Sequence, residues 1–321
     1  VAFGKLNGGD EMITIFKTIQ NNLKEISEFE NDSWINVSSS TSEELGNLSQ
    51  KLNVPLDFLT DPLDVDERAR IEKENMCILI VLRVPRFDEK DVDIPFTTLP
   101  VGIILTGDLV ITVCSKDVDV ISDFINGKVR NFSPGNRSRF LLQIFLRTSL
   151  LYLKYLKEIN KRTTVVENEL QKAMKNEELI KLLNIEKSLV FFTTSLRSNE
   201  LMMERLQKAE IVKMNPDDKD LLEDVIIENK QAIEMSNVYS NILSGMMDAF
   251  ASVISNNLNV VMKFLTAVTI ILMIPTLIAS IYGMNVKLPF QGSPHAFLIT
   301  LGISLTLSVI GVLIFIKRKW F

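Results

Sequence analysis

The stretch Phe264–Ile281, FLTAVTIILMIPTLIASI, leads into Tyr282–Phe290, YGMNVKLPF, and together they decide the architecture. The first holds no charged side chain and approaches the ~20 residues needed to cross a bilayer. A second uncharged run, Ala296–Ile316, follows after a short loop. Neither run is N-terminal, so neither is a cleaved signal peptide. Lys263 precedes the first run, and Lys317, Arg318 and Lys319 follow the second, whereas the loop between them carries only Lys287. This asymmetry places both termini in the cytosol and the 282–295 loop outside. Trp320 falls where an interfacial aromatic is common. The expected protein crosses a cell (inner) membrane twice and keeps nearly all its mass in the cytosol.

Working inward, the polar residues of the first span are Thr266, Thr269, Thr276 and Ser280. The series Asn259, Met262, Thr266, Thr269, Met273, Thr276 and Ser280 advances by alternating steps of 3 and 4, so all lie on one helical face. A membrane helix that gathers every hydroxyl on one face turns that face away from lipid. Hydroxyls bonded to a neighbouring helix or to their own backbone would produce the same stripe. In the second span Thr300, Gly302, Ser304, Thr306 and Ser308 scatter over more than one face, as ordinary packing requires. Two spans cannot enclose a pore, so a stripe that lines one requires several copies with the first span innermost. Neither span holds an ionisable residue, which argues against a proton relay and against tight dehydrated metal ligation. A wide, neutral path for a partly hydrated ion remains.

Upstream, NPDD at Asn215–Asp218 reads as a helix start, with Asn215 as cap, Pro216 in the first turn and acids complementing the dipole. No proline interrupts the following residues until Pro275, so one helix is expected from Asp217 to Ile281, roughly 95 Å at ~1.5 Å per residue. Only ~30 Å of that fits the bilayer core; the rest is a cytosolic stalk. Ile226, Ile233, Leu243, Met247, Phe250 and Ile254 lie close to one stripe that a helical bundle would bury.

Residues 12–136 mix strand and helix signals. Strands are expected at Met12–Thr18, Trp34–Val37, Met76–Val84, Leu99–Leu105 and Leu109–Cys114, the last two forming a hairpin around Gly107-Asp108. The near-continuous apolar run at Met76–Val84 predicts cover on both faces of its sheet. Helices are expected after SSTS, with apolar Leu45, Leu48 and Leu52, and over Val118–Ile125. Arg137–Leu206 carry helical periodicity with interspersed charges, softly broken near Asn176 and Asn184. Met12 is read as the natural start, with residues 1–11 as a leader. The domain plan is therefore an α/β/α cytosolic domain over 12–136, a helical segment over 137–214 and a stalk over 215–263. It continues with a pore-lining span over 264–281, an outer loop over 282–295, a second span over 296–316 and a basic tail over 317–321.

With 321 residues, 46% hydrophobic and 23% charged, and a formal charge of -5, the chain lacks a nucleic-acid footprint. Cys77 and Cys114 are expected as buried thiols rather than a disulfide. One histidine, no phosphate loop and no activated nucleophile pattern argue against an enzyme. A membrane-anchored signalling or scaffold protein that uses the long helix as a lever is an alternative, but a loop of 282–295 is too short for a receptor domain.

GMN closing the first of two C-terminal spans, with KRKWF ending the chain, resembles the CorA family of magnesium transporters over essentially the whole sequence. The resemblance implies an α+β membrane protein assembled as a funnel-shaped homopentamer around a central pore. Gly283, Met284 and Asn285 match the family's filter motif, where an asparagine ring selects a hydrated divalent cation. Mg²⁺ sheds water reluctantly, and an amide oxygen accepts hydrogen bonds from that water without the trap a carboxylate ring would make. Asn259, Met262, Leu265, Met273 and Thr276 match pore-lining or constricting positions, Leu265 standing one residue off the stripe. Met262 and Leu265 would form an apolar gate. The resemblance also implies cytosolic Mg²⁺ sensing between subunits, with Asp224 as one half of the site and Asp88, or next Asp91, as the other. Co²⁺ and Ni²⁺ are expected as further cargo. The zinc-transporting sister branch is the nearest alternative, disfavoured by Met284. Many relatives carry an acid in the outer loop; this chain has Lys287 and none, and His295 without a partner is a poor zinc site.

Overall fold

The computed structural model describes residues 13–20, 22–88, 93–129, 132–172, 176–290 and 292–318. Residues 1–11, read above as a leader, together with Met12, Asp91, Lys319 and Trp320, lie outside them. The chain divides into two compact units that meet in sequence at Gly245 and Met246.

The first unit is built on one seven-stranded sheet: β1 Ile13–Ile19, β2 Asn22–Ile26, β3 Ser33–Ser38, β4 Arg70–Glu74, β5 Cys77–Phe87, β6 Phe96–Thr106 and β7 Leu109–Cys114. Its order is β2-β1-β3-β7-β6-β5-β4. Only β3 and β7 pair in parallel, Ile35 opposite Ile111; every other neighbour is antiparallel. Helices α1 Ser42–Leu52 and α2 Leu56–Thr60 cover one face. Leu45, Leu48, Phe58 and Leu59 pack there with Ile35, Val37, Leu79, Val81, Ile104 and Val113. The opposite face carries α3 Asp119–Ile125, α4 Arg137–Lys172 and α5 Asn176–Ala209. Its centre is aromatic: Trp34 meets Phe140 at 5.2 Å and Tyr152 meets Phe192 at 5.0 Å between ring centroids. The sheet is thus sandwiched, which explains the uninterrupted apolar reading of β5.

Local chemistry follows expectation at α1. Thr41 caps it, and Glu44 reaches back to the Thr41 N–H at 2.8 Å, closing a capping box. Three expectations change. Met76 is not in a strand but at the tip of the β4–β5 hairpin, 84% exposed, beside Asn75 in the left-handed region at φ 51°. The sequence marks neither edge strand, β2 NLKEI nor β4 RIEKE, because an edge strand can carry charges along its length. The break near Asn184 does not occur: α5 runs through it, and the Asn184 backbone oxygen accepts from Ser188 Oγ at 3.1 Å.

Two polar ties fix the helices of the face that carries α3, α4 and α5. Asn199 on α5 accepts from the Arg83 N–H of β5 at 2.9 Å and donates to the Arg83 carbonyl at 2.7 Å, completely buried. Asp123 on α3 accepts from Lys128 Nζ at 2.8 Å and from Arg147 Nε of α4 at 2.7 Å.

Helix α6, Pro216–Tyr282, is continuous over 67 residues and passes from one unit into the other. Asn215 Oδ1 caps it at the Asp218 N–H, 2.7 Å away, as its sequence predicted. In the first unit it packs on α5, where Asn229 Nδ2 donates to the Leu196 carbonyl at 3.0 Å and Ser236 meets Thr193 at 2.8 Å. Ile226, Ile233, Leu243 and Phe250 are buried, but Met247 is half-buried and Ile254 is 38% exposed, so the expected buried stripe ends before Ile254. The second unit comprises the rest of α6, the loop and α7 Ala296–Lys317.

Candidate ion pathway

Both helices of the second unit are long and apolar enough to cross a membrane. They touch through a particular side of α6. A Cβ placed on Gly311 of α7 would sit 3.5 Å from Ile274 Cδ1 and 3.9 Å from Ile271 Cγ1. Ala267, Val268, Ile271, Ile274 and Ile278 are the buried or half-buried residues of α6 in this region. At ~3.6 residues per turn these lie on the side of the helix opposite Thr266, Thr269, Met273, Thr276 and Ser280. All of the stripe from Asn259 to Ser280 is exposed within the single chain, Met262 by 54% and Met273 by 63%. Leu265 is 58% exposed beside it.

The threonine hydroxyls are satisfied without a neighbouring helix. Thr266 Oγ1 donates to the Met262 carbonyl at 2.7 Å, Thr269 to Leu265 at 2.8 Å and Thr276 to Leu272 at 3.3 Å. Each spends its proton on its own backbone. The oxygen keeps accepting capacity toward whatever meets that face. The stripe is therefore a self-satisfied, neutral, polar surface that α7 does not cover.

The helix ends at the motif. The Gly283 N–H donates to Ala279 O at 2.9 Å and the Met284 N–H to Ile281 O at 3.2 Å, closing the last turn. Neither Gly283 nor Asn285 takes positive φ, so Asn285 does not act as a left-handed helix cap. Its carboxamide is exposed and has no hydrogen-bond partner among the described residues. Met284 is 54% exposed beside it. Tyr282 Oη donates to the Pro289 carbonyl at 3.2 Å and draws the loop closed behind the motif.

The regulatory candidates are apart from this region in sequence. Asp224 is exposed on α6, with no ion-pair partner among the described residues. Asp88, just past the end of β5, accepts from Arg86 Nη2 at 2.6 Å. Among the described residues no three His, Cys, Asp or Glu side chains converge. Both cysteines are buried and free, and burial pushes the Cys114 thiol up to about 11, so it stays protonated. What sequence reasoning missed was the α7 contact side of α6: Ile271 and Ile274 are ordinary membrane residues, and nothing in the sequence sets them against Gly311.

The chain matches the family described as "CorA-like Mg2+ transporter protein" over residues 30–318. It is 29% identical over 297 residues to the cobalt/magnesium transport protein CorA of Methanocaldococcus jannaschii, covering 89% of this chain and 90% of that one. It is 26% identical over 268 residues to the Thermotoga maritima protein of the same name, covering 82% and 75%. The complete structure of the CorA magnesium transporter from M. jannaschii superposes with a TM-score of 0.83 at 27% identity, covering 97% of this chain and 99% of that one. The likeness spans the α/β domain, the long helix and both C-terminal apolar helices. This chain belongs to the CorA-like Mg²⁺ transporter family.

Proposed function

We propose that five copies of this chain surround a central pore and pass hydrated Mg²⁺, with Co²⁺ and Ni²⁺ as further cargo, between the two sides of a cell membrane. Both termini stand in the cytosol. The observation that carries the reading is the uncovered stripe Asn259–Ser280, opposite the α7 contact and leading to the unpaired Asn285 carboxamide. In a ring of copies, the stripe would line the conduit and five Asn285 side chains would crown its outer end.

The chemistry follows from the cargo. Mg²⁺ binds its octahedral water shell tightly, so its first recognition is through those waters. Carboxamide oxygens accept the water protons, and Gly283, lacking a side chain, leaves its backbone approachable. Met262 and Leu265, both large and apolar, would close the path by excluding water. Thr266, Thr269, Met273, Thr276 and Ser280 offer a wall that holds no charge and so no trap.

Regulation by cytosolic Mg²⁺ would use Asp224, an exposed carboxylate that suits a hard cation bound through oxygen and water. Asp88 suits it less well, because its carboxylate already pairs with Arg86. Bound Mg²⁺ would supply charge neutralisation between stalks, biasing a closed arrangement by differential affinity.

The decisive experiment is Mg²⁺ uptake by proteoliposomes carrying wild type or Asn285→Ala. Five acceptors at ~0.5–1.5 kcal/mol each set the expected loss at ~10²-fold or more, with folding intact because Asn285 has no hydrogen-bond partner among the described residues. Undiminished uptake in that variant removes the filter role, and zinc uptake without magnesium uptake by wild type overturns the cargo.

A further inference from the structure

Beyond Asp248 the sequence contains no aspartate or glutamate, and between residues 264 and 316 the one formally charged side chain is Lys287. The structure fixes its surroundings. The hydrogen bond from Tyr282 Oη to the Pro289 carbonyl closes residues 282–289 into a tight loop at the end of α6. Phe290, with φ 63°, then turns the chain away. Lys287 stands exposed in this loop, with no ion-pair partner among the described residues. It is two residues from Asn285, so the two Cα atoms are at most ~7 Å apart even if fully extended. That is inside the ~8 Å over which salt at physiological strength screens a charge.

We propose that Lys287 is a rate-setting residue at the outer mouth, where its ammonium repels the arriving divalent cation. The inference rests on the pore reading above. With no acid nearby to neutralise it, each copy contributes one positive charge on a side chain rooted within a screening length of the proposed crown. A doubly charged ion feels twice the repulsion of a monovalent one, so this mouth disfavours the cargo relative to Na⁺ or K⁺. Preference for the divalent ion then originates deeper, at the Asn285 carboxamides, while Lys287 throttles the approach. Mouths of either sign change ion arrival by ~10–10³-fold, and the effect collapses with ionic strength. Because the field here is repulsive, the salt dependence runs opposite to that of an acid-lined mouth: added inert salt speeds entry.

The test is initial Mg²⁺ influx into proteoliposomes reporting through an internal magnesium dye, with N-methyl-D-glucamine chloride varied from about 0.01 M to about 0.3 M, a range that takes the screening length from ~30 Å to below ~8 Å. Wild type should speed up ~3-fold across the range, Lys287→Gln should be flat, and Lys287→Glu should start ~10-fold faster than wild type and slow as salt is added. Asn285→Ala is run alongside. Wild-type influx that falls or stays level with salt, or Lys287→Glu influx equal to wild type, overturns the throttle while leaving an Asn285-dependent pore standing. Full influx through Asn285→Ala instead rejects the pore reading and takes this inference with it.

Discussion

Residues 13–245 and residues 246–318 use their polar groups differently. In the first unit several buried polar side chains are tied across elements, although Thr148, Thr163 and Ser188 bond back to their own helices. The Trp34 indole donates to Thr112 Oγ1 at 2.8 Å, Asn199 completes the Arg83 backbone, and Asn229 reaches the Leu196 carbonyl. In the second unit Thr266, Thr269, Thr276 and Asn285 are exposed, and the three threonines bond only to their own helix. A buried polar group in a soluble core earns its place by satisfying another that would otherwise be stranded. A neutral polar face on a membrane helix, satisfied by itself and uncovered by its neighbour, marks a surface meant for something outside the chain. The first kind should cost stability when removed, and the second should cost transport.

The largest difference is expected between Asn199→Leu and Thr269→Val, two near-isosteric replacements. Asn199→Leu strands the Arg83 N–H beside a fully buried side chain, while the Arg83 carbonyl keeps Tyr152 Oη at 3.1 Å, and should lower unfolding stability by about 1–3 kcal/mol. Thr269→Val strands nothing, because the Leu265 carbonyl keeps its helical partner, and should stay within about 0.5 kcal/mol of wild type. Its Mg²⁺ uptake should nevertheless drop by ~3-fold as a polar ring is lost from the path. Denaturant unfolding in detergent and uptake in proteoliposomes read the two axes separately. If both variants moved the same axis, the contrast between the units would fail.

Next in size is Met262→Asp. An apolar constriction blocks ions because water is unstable inside it, and a ring of carboxylates wets it. Uptake should become ~10-fold less sensitive to high internal Mg²⁺, a difference of about 1.4 kcal/mol between closed and open states, while the first unit unfolds as before. A variant that still shuts tightly would move the gate away from Met262.

How much of this could be read in the sequence differs between the units for a physical reason. In the membrane unit the solvent is uniform, so any polar residue is conspicuous, and a spacing of 3 and 4 assigns Thr266, Thr269 and Thr276 to one face directly. Expectation and structure agree there to within a residue at the helix ends, Ile281 against Tyr282 and Ile316 against Lys317. The α7 side was not legible, because Ile271 and Ile274 look alike whether they face lipid or Gly311. In the soluble unit the apolar strands were legible, and those whose environment is set by tertiary position were not. Edge strand β4 is charged, and Met76 looks like the start of β5 although it sits on a hairpin tip. Asn184 carries no trace of whether α5 will pass through it. Asn199 reads as a surface residue until Arg83, 116 positions earlier, is placed beside it. Asn285 stands out through the GMN motif that closes the first span, and its role is the proposal above.

The smallest effect tests where acid sensitivity resides. Every aspartate and glutamate lies at or before Asp248, and all but Asp248 fall in the first unit, so lowering pH should loosen that unit and leave the carboxylate-free wall of the proposed conduit unchanged. Asp123 is the sharpest case. Burial alone would raise its pKa, but hydrogen bonds from Lys128 and Arg147, with their charges, outweigh that and hold it below the usual carboxylate value. A folded pKa lower than the unfolded one means the contribution is complete above the unfolded value, ~3.9. It fades as pH falls through the folded value beneath it. Asp123→Asn should therefore be less stable than wild type at pH 7 by on the order of 1 kcal/mol, or ~2–4 °C in Tm. The gap should narrow once pH drops below about 4. Differences between the two proteins cancel the other carboxylates, which titrate in both. A gap that stayed constant to pH 3 would mean that the Asp123 bonds survive protonation and that α3 is held to α4 by packing, with Phe124 against Phe140 at 5.3 Å as the contact that remains.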